Sequence, residues 1–221
     1  LKSMSTATVS TAVTDPPATA EQAVRPAKCI VLEEGVELPL GIRSLSDFRA
    51  WARSDAFPER GRIDYIRGRI EVDLMVENLF YHGSPKSEVF GTLWLRNREQ
   101  KLGRIFSDRS RVSHPAADVS AEPDVLFLSF DSIKAGRVKF IPAKTDDPES
   151  FVEIEGSPDW VCEIVSDSSV KKDTVRLAEA YFAAGVREYW LVDARGQSLS
   201  FAIFKRGGDV FVAAEPDADG Y

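Results

Sequence analysis

The sequence is poor in the residues that hold zinc sites and disulfide-bonded proteins together. Its 221 residues include two cysteines, Cys29 and Cys162, and two histidines, His82 and His114. Two histidines far apart in the chain are too few for a zinc site. Cys162 lies in an apolar segment, so we expect a buried, reduced thiol rather than half of a disulfide.

Long hydrophobic runs are missing as well. No apolar segment approaches the roughly 20 residues that span a bilayer, and no charged and apolar leader precedes a cleavage site. We therefore expect a cytoplasmic protein with no membrane partner. The sequence also has no Gly-rich phosphate loop, no GxSxG nucleophile motif and no dinucleotide-binding fingerprint.

Positive charge is not in excess either, since the formal net charge is −7. A dedicated high-affinity nucleic-acid binder usually carries a basic excess, so the composition disfavours that class of protein. It does not exclude a nuclease, because the cation bound at an acidic metal site neutralises part of the acidic charge.

The chain is long enough for one substantial domain, which we assign to residues 28–221. Residues 1–27 are rich in Thr, Ala, Ser and Pro. They bury too little apolar surface to offset their ordering entropy, so we predict a disordered tail. The predicted elements of the domain are a helix at 44–57 capped by Ser44 or Ser46, a hairpin turning at Arg67-Gly68, a helix at 86–102, several strands, a helix ending at Gly185, a further strand and a final hairpin. This order predicts an α/β domain around one mixed sheet.

Three acidic residues lie in predicted strands or at their ends: Asp64, Asp124 and Glu163. Glu163 is the most informative of them, because it interrupts the apolar segment WVCEIV and a buried carboxylate needs a partner. Carboxylate oxygens are the ligands that magnesium and manganese prefer. Neighbouring strands lie about 4.8 Å apart, so two carboxylates on adjacent strands can share one ion.

Three sequence segments together resemble a known family. They are Pro123-Asp124, the run Glu163-Ile164-Val165-Ser166, and AGVREYWLVD at 184–193. The chain resembles the Uma-two family of the PD-(D/E)XK, restriction-endonuclease-like superfamily over roughly residues 44–205. The segment RIDYIRGRIEV is similar to that family's acidic strand before a Gly turn, which places Asp64.

The resemblance implies a mixed β-sheet flanked by helices, with extra antiparallel hairpins, and a Mg²⁺-dependent (or Mn²⁺-dependent) endonuclease that cuts DNA. It implies that Asp124 and Glu163 hold the metal, with the backbone carbonyl of Ile164 completing the coordination. Asp64 would be an additional acid at the metal or the attacking water. By analogy with superfamily members that cut both strands, a homodimer is also implied.

The superfamily's lysine is missing from its usual place. It is expected two residues after the glutamate, on the same face of the strand, but Val165 stands there. Lys171 and Lys172 are the candidate replacements from the following helix. The family pattern favours Lys172, just before an expected N-cap at Asp173. Helical periodicity instead puts Lys171 nearer the apolar stripe of Val175, Ala178 and Phe182.

Two other classes of function stay open at this point. The acidic net charge and Val165 also suit a non-catalytic binding or assembly module with the same fold, and a metal-dependent hydrolase of another substrate is a third possibility. Tyr189 and Trp190 suit core or rim packing better than a nucleobase platform. Three arginines before Asp124 have two interpretations, a solvated edge or contacts with a phosphate backbone: Arg104, Arg109 and Arg111.

Overall fold

A computed structural model describes residues 29–32 and 35–215. The predicted tail at 1–27 lies outside the described residues. The helices are α1 (Leu45–Ala52), α2 (Ser84–Gln100), α3 (Phe130–Lys134) and α4 (Ala178–Ala183), with π-helical segments Leu79–Gly83 and Lys172–Leu177 leading into α2 and α4, and a 3₁₀ turn at Pro115–Ala117. The strands are β1 (Cys29–Val31), β2 (Glu37–Pro39), β3 (Arg62–Ile66), β4 (Arg69–Asp73), β5 (Gly103–Ser107), β6 (Val112–His114), β7 (Val119–Ala121), β8 (Val125–Ser129), β9 (Val138–Pro142), β10 (Phe151–Gly156), β11 (Trp160–Ile164), β12 (Glu188–Asp193), β13 (Ser200–Arg206) and β14 (Phe211–Ala213).

Strands β3 to β14 form two six-stranded sheets, and β1 pairs with β2 in a small antiparallel ribbon. The first sheet has the order β4-β3-β7-β6-β10-β9, and the second has the order β14-β13-β12-β11-β8-β5. Each is mixed, with one parallel pair: β6 with β10, and β11 with β12. The sheets are mixed as predicted, but there are two of them among the described residues where the sequence predicted one. The chain leaves the first sheet at Ala121 and enters the second at Val125, and the intervening Pro123 has no N–H to continue a ladder.

The main apolar core lies where the two sheets meet the helix that ends in α4. Ile66 and Val119 come from the first sheet, Leu126 and Val161 from the second, and Tyr181 from α4. The tight helix-to-strand connection ends at Gly185, whose φ of +81° suits a residue without a side chain. This cluster holds β3 of the first sheet close to β8 and β11 of the second.

A second apolar cluster fixes α1 against β3. Ser44 caps α1, since its hydroxyl accepts a hydrogen bond from the Asp47 N–H, so one of the two predicted caps is confirmed. Phe48 on α1 packs against Tyr65 of β3, with ring centroids 5.5 Å apart. The predicted hairpin between β3 and β4 is also confirmed, with positive φ at both Arg67 and Gly68, as a tight two-residue turn requires.

Other predicted elements differ in their bounds. The first helix ends at Ala52 rather than at residue 57. The predicted helix at 86–102 is present as α2, two residues earlier at each end. The short helix α3 was missed, because a five-residue helix leaves almost no periodic pattern in the sequence.

Candidate active site

The three predicted acids are delivered by two strands and by the crossing between the sheets. On β3, Ile63 and Tyr65 face the α1 cluster. Because successive side chains of a strand point to opposite faces, Arg62 and Asp64 face the other way. Asp124 lies at the crossing from β7 to β8, and Glu163 lies within β11.

Asp124 and Glu163 lie next to one another across the second sheet. Strands β8 and β11 are antiparallel, with Val125 opposite Cys162, so Asp124 and Glu163 follow next in register. The N–H of Ile164 donates a hydrogen bond of 2.7 Å to Asp124 Oδ2. The exposed fraction is 1% for Asp124 and 0% for Glu163, so both carboxylates lie almost entirely out of water.

Arg62 is the cation between these two carboxylates. Its Nη2 lies 2.7 Å from Asp124 Oδ1, and its Nη1 lies 3.7 Å from Glu163 Oε2. The Tyr181 hydroxyl donates to Glu163 Oε1 at 2.8 Å, but Glu163 Oε2 has no hydrogen-bond partner. Arg62 was not predicted as a site residue, because an arginine at the start of a strand is most often solvent-exposed.

Asp64 pairs with Lys172 rather than with Arg62. Lys172 Nζ lies 3.1 Å from Asp64 Oδ2, and the Glu122 N–H donates to Asp64 Oδ1 at 3.0 Å. Lys172 is buried, whereas its neighbour Lys171 is exposed to solvent. Of the two candidate lysines, the structure therefore brings Lys172 to the cluster and leaves Lys171 outside it.

Asp173 is not the N-cap that the sequence suggested. The helix already includes residues 170 and 171, and the Ser169 hydroxyl donates to Asp173 Oδ2. Asp173 Oδ1 is buried without a hydrogen-bond partner. Burial raises the pKa of Asp173 to about 6, although the nearby Lys172 ammonium acts in the opposite direction.

The two acids at Arg62 differ in proton affinity. Burial acts to raise the pKa of Asp124, but the Arg62 guanidinium, His82 and the Ile164 N–H hold that pKa well below its usual range. Burial raises the pKa of Glu163 well above its usual range, against the opposing charge of Arg62. The difference follows from geometry, since Asp124 receives close donors that Glu163 Oε2 lacks.

Asp124 opens onto a cleft of about 490 Å³. The cleft is lined in part by Arg62, Asp124, His82, Lys86, Arg109, Val165 and Arg195. His82 Nε2 lies 3.4 Å from Asp124 Oδ2, and its Nδ1 contacts Glu77. Sequence reasoning missed His82 as a site residue, because it comes from the π-helical turn before α2, far from the strands that carry the acids.

The residues at Asp124 fit a magnesium or manganese ion by their chemistry. Magnesium is typically held by one or two carboxylates with water molecules, and Asp124 and Glu163 are two buried carboxylates in register. The unpartnered Glu163 Oε2 is a free oxygen donor. Among the described residues no group of three or more His, Cys, Asp or Glu side chains is arranged to hold a metal, so such a site would consist of this pair and backbone or water oxygens.

The remaining candidates of the sequence analysis divide between core, cleft and surface. Arg109 lines the cleft, Arg104 is exposed, and Arg111 is buried in a salt bridge to Glu122. Tyr189 is buried in the core. Trp190 stacks on Trp160 with centroids 4.8 Å apart, so neither aromatic residue forms an open platform. Within the part of the chain that the structure describes, no helix is long and apolar enough to cross a bilayer.

Known proteins share this architecture. The family described as "Uma2: Putative restriction endonuclease" matches residues 45–213. A solved structure described as "a putative nuclease belonging to DUF820" from Anabaena variabilis is 19% identical over 75% of this chain and 86% of that chain, with a TM-score of 0.51. At that identity the likeness shows the fold alone, and it confirms a restriction-endonuclease-like α/β fold of mixed sheets flanked by helices. No curated protein matches the chain. Because the family match spans more than half of the chain, the protein belongs to the Uma2 family.

Proposed function

We propose that the protein is a Mg²⁺- or Mn²⁺-dependent endonuclease that hydrolyses DNA phosphodiester bonds. The observation that carries the proposal is the buried pair of carboxylates, Asp124 and Glu163, of which Asp124 lines the cleft. Membership of a family of restriction-endonuclease-like nucleases supports the same class of reaction.

Each residue of the cluster has a distinct part in this proposal. Asp124 and Glu163 would hold the metal together with the carbonyl of Ile164. When bound there, the ion would supply Lewis-acid polarisation of the phosphate and a lower pKa for a water molecule. Lys172 supplies the positive charge next to the attacking water, in place of the lysine that Val165 replaces. Asp64 keeps the Lys172 ammonium in position and holds its pKa above the usual range, against the effect of burial.

The charges of the cleft favour a reaction that depends on a cation. Four basic side chains line it, Arg62, Lys86, Arg109 and Arg195, against five acidic ones, Asp73, Glu77, Asp108, Asp124 and Asp167. Lys86 and Arg195 are themselves paired with acids. A phosphate therefore enters a cleft with no positive excess unless a metal is bound.

Plasmid nicking with Mg²⁺, Mn²⁺ or a chelator tests the proposal directly. We expect nicking to require the metal and to fall by more than about 100-fold in Glu163→Gln, since even outer partners of metal ligands are worth roughly 10–100-fold. Glu179→Gln is the matched control, because Glu179 is exposed and its carboxylate forms a surface salt bridge with Arg67. Cleavage that survives both chelation and Glu163→Gln would refute the assignment.

The second candidate is a non-catalytic module with the same fold. Two observations favour it: Val165 replaces the in-strand lysine, and Arg62 already occupies the position between Asp124 and Glu163. Calorimetric titration with Mg²⁺ and Mn²⁺ separates the two functions, because a module has no reason to bind either ion.

We further propose that the protein acts as a homodimer, formed through α2. This helix has 17 residues and no fully buried side chain. Val89 and Phe90 pack against the second sheet. The opposite face carries a stripe with heptad spacing: Ser84, Glu88, Gly91, Leu95 and Arg98.

This stripe is complementary to itself. An antiparallel second copy, related by a two-fold axis level with Leu93, would set Leu95 against Gly91 and Glu88 against Arg98. Leu95 is 58% exposed, and a Cβ on Gly91 would meet nothing within 4 Å, so a leucine fits in the space beside Gly91.

Light scattering measures the oligomeric state. We expect a dimer for the wild type and a monomer for Leu95→Asp, which places two like charges in the interface. Val210→Asp, an equally exposed apolar residue near β14, should leave the dimer intact. A wild-type monomer at concentrations of 100 µM, on the order of the Kd of a weak interface, would contradict the dimer.

A further inference from the structure

Arg62 contacts the same two carboxylates that are proposed to bind the metal. Its guanidinium forms a hydrogen bond of 2.7 Å with Asp124 Oδ1 and lies 3.7 Å from Glu163 Oε2. Lys172, by contrast, forms an ion pair with Asp64. His82 approaches Asp124 alone, so Arg62 is the cation that the two carboxylates share.

This compensation is incomplete. The contact with Glu163 is too long for a hydrogen bond, and Glu163 Oε2 is buried without any partner. A buried carboxylate oxygen left in this way is unfavourable. One guanidinium thus satisfies Asp124 well and Glu163 poorly, whereas a divalent ion can take one oxygen from each acid.

Arg62 and a divalent ion cannot both occupy this position. Two positive charges a few ångströms apart and out of water repel each other strongly. The Arg62 side chain can move into the cleft, because it is 21% exposed and lines the cleft. Glu163 and Asp124, held by strand register and by the core, have no such freedom.

We propose that Arg62 is an exchangeable counter-ion, which partly compensates Asp124 and Glu163 in the metal-free protein and leaves them when the metal binds. The inference rests on the proposed metal site and adds a competition within it. The affinity for the metal then depends on how much more strongly the two carboxylates bind the metal than they bind Arg62. The metal-free protein stays folded without leaving both acids uncompensated.

The proposal predicts opposite effects of one substitution on affinity and stability. Arg62→Met removes the competing charge, so the affinity for Mn²⁺ rises about tenfold or more. The same change leaves two buried acids without a cation, so the metal-free protein unfolds at a lower temperature and gains more from added Mn²⁺. Arg62→Lys keeps the charge and should bind Mn²⁺ much as the wild type does.

Calorimetric titration with Mn²⁺, together with thermal unfolding with and without Mn²⁺, tests this on the full chain. Arg195→Met is the matched control, because Arg195 lines the same cleft but pairs with Asp193 and Asp167. Its affinity for Mn²⁺ should stay within about twofold of the wild type, as expected for a partly exposed, screened charge. Arg62→Gln serves as the second neutral variant if Arg62→Met does not fold.

The outcomes separate this inference from the proposed function. Tighter Mn²⁺ binding by the neutral variants than by the wild type supports the exchange. If the wild type binds no Mn²⁺ but the neutral variants do, the proposed metal dependence fails and the competition stands. Equal affinity of wild type and neutral variants overturns the exchange alone. Weaker binding by the neutral variants overturns it too, since Arg62 would then help to position the ligands. No binding by any variant overturns both.

Discussion

Strand β3 is buried on both faces, and the two faces are built on different principles. One face sets Ile63 and Tyr65 against the aromatic residues of α1. The other presents Arg62 to Asp124 and Asp64 to Lys172, within the buried cluster of charges. Five residues thus contribute to a hydrophobic core and to a candidate active site at the same time.

The difference between these faces lies in what each contributes to stability. The apolar face gains free energy in proportion to the area removed from water. The polar face brings charges out of water, and a buried ion pair is at best weak support for a fold. A set of charges at that place is best explained by function, so mutations on the two faces should separate stability from activity.

The largest effect is expected on the apolar face. Phe48→Ala removes a fully buried ring that packs against Trp51, Phe57 and Tyr65. It should lower the free energy of unfolding by about 3–5 kcal/mol, measured by urea denaturation. Activity per folded molecule should stay unchanged. A selective loss of nicking in the folded fraction would show that the apolar face contributes to activity as well as to stability.

On the polar face, Lys172→Met should reduce plasmid nicking by about 100-fold, the typical cost of removing one group that stabilises charge in the transition state. Affinity for Mn²⁺ should change little, because Lys172 pairs with Asp64 rather than with the two proposed ligands. Lys171→Met is the control, since that lysine is exposed. A loss in Lys171→Met without one in Lys172→Met would reverse the assignment.

A smaller effect is expected at Asp173, beside the polar face, and it depends on pH. Its pKa is raised to about 6 from the usual 3.8, first of all by burial. The folded state therefore holds this proton more tightly than the unfolded state, and stability is lost as pH rises from about 4 to 6.

Asp173→Asn removes that loss. It should raise the free energy of unfolding by about 1–3 kcal/mol at pH 8 and by little at pH 4, as measured by urea denaturation at both pH values. Asp209→Asn, at an exposed position, should change neither value. The same gain for Asp173→Asn at pH 4 and pH 8 would show that ionisation is not its cause.

Local patterns in the sequence predicted α1 and the β3–β4 hairpin, but not that Phe48 of α1 packs on Tyr65 of β3. A serine before apolar residues at helical spacing gave α1 and its cap, and alternation around Arg67-Gly68 gave the hairpin. Both depend on contacts between residues close in the chain. The division into two sheets depends on pairing between strands that are distant in the chain, such as β3 with β7 and β8 with β11, and periodicity does not encode which strands pair.

The polar face was predicted only in part. Asp124 and Glu163 were placed together by the resemblance to a family, and the structure puts them next to one another in register. Periodicity and family pattern disagreed about Lys171 and Lys172, because a π-helical segment shifts the phase of the helix at that point. Arg62 and His82 reach Asp124 from distant segments, a contact that no short motif encodes.

The metal site can be tested most directly with a crystal soaked in Mn²⁺. We predict anomalous density for an ion in contact with Asp124 and Glu163, with the Arg62 guanidinium moved away into the cleft. An Arg62 still bridging the two carboxylates, with no ion beside them, would contradict the proposed metal-dependent nuclease.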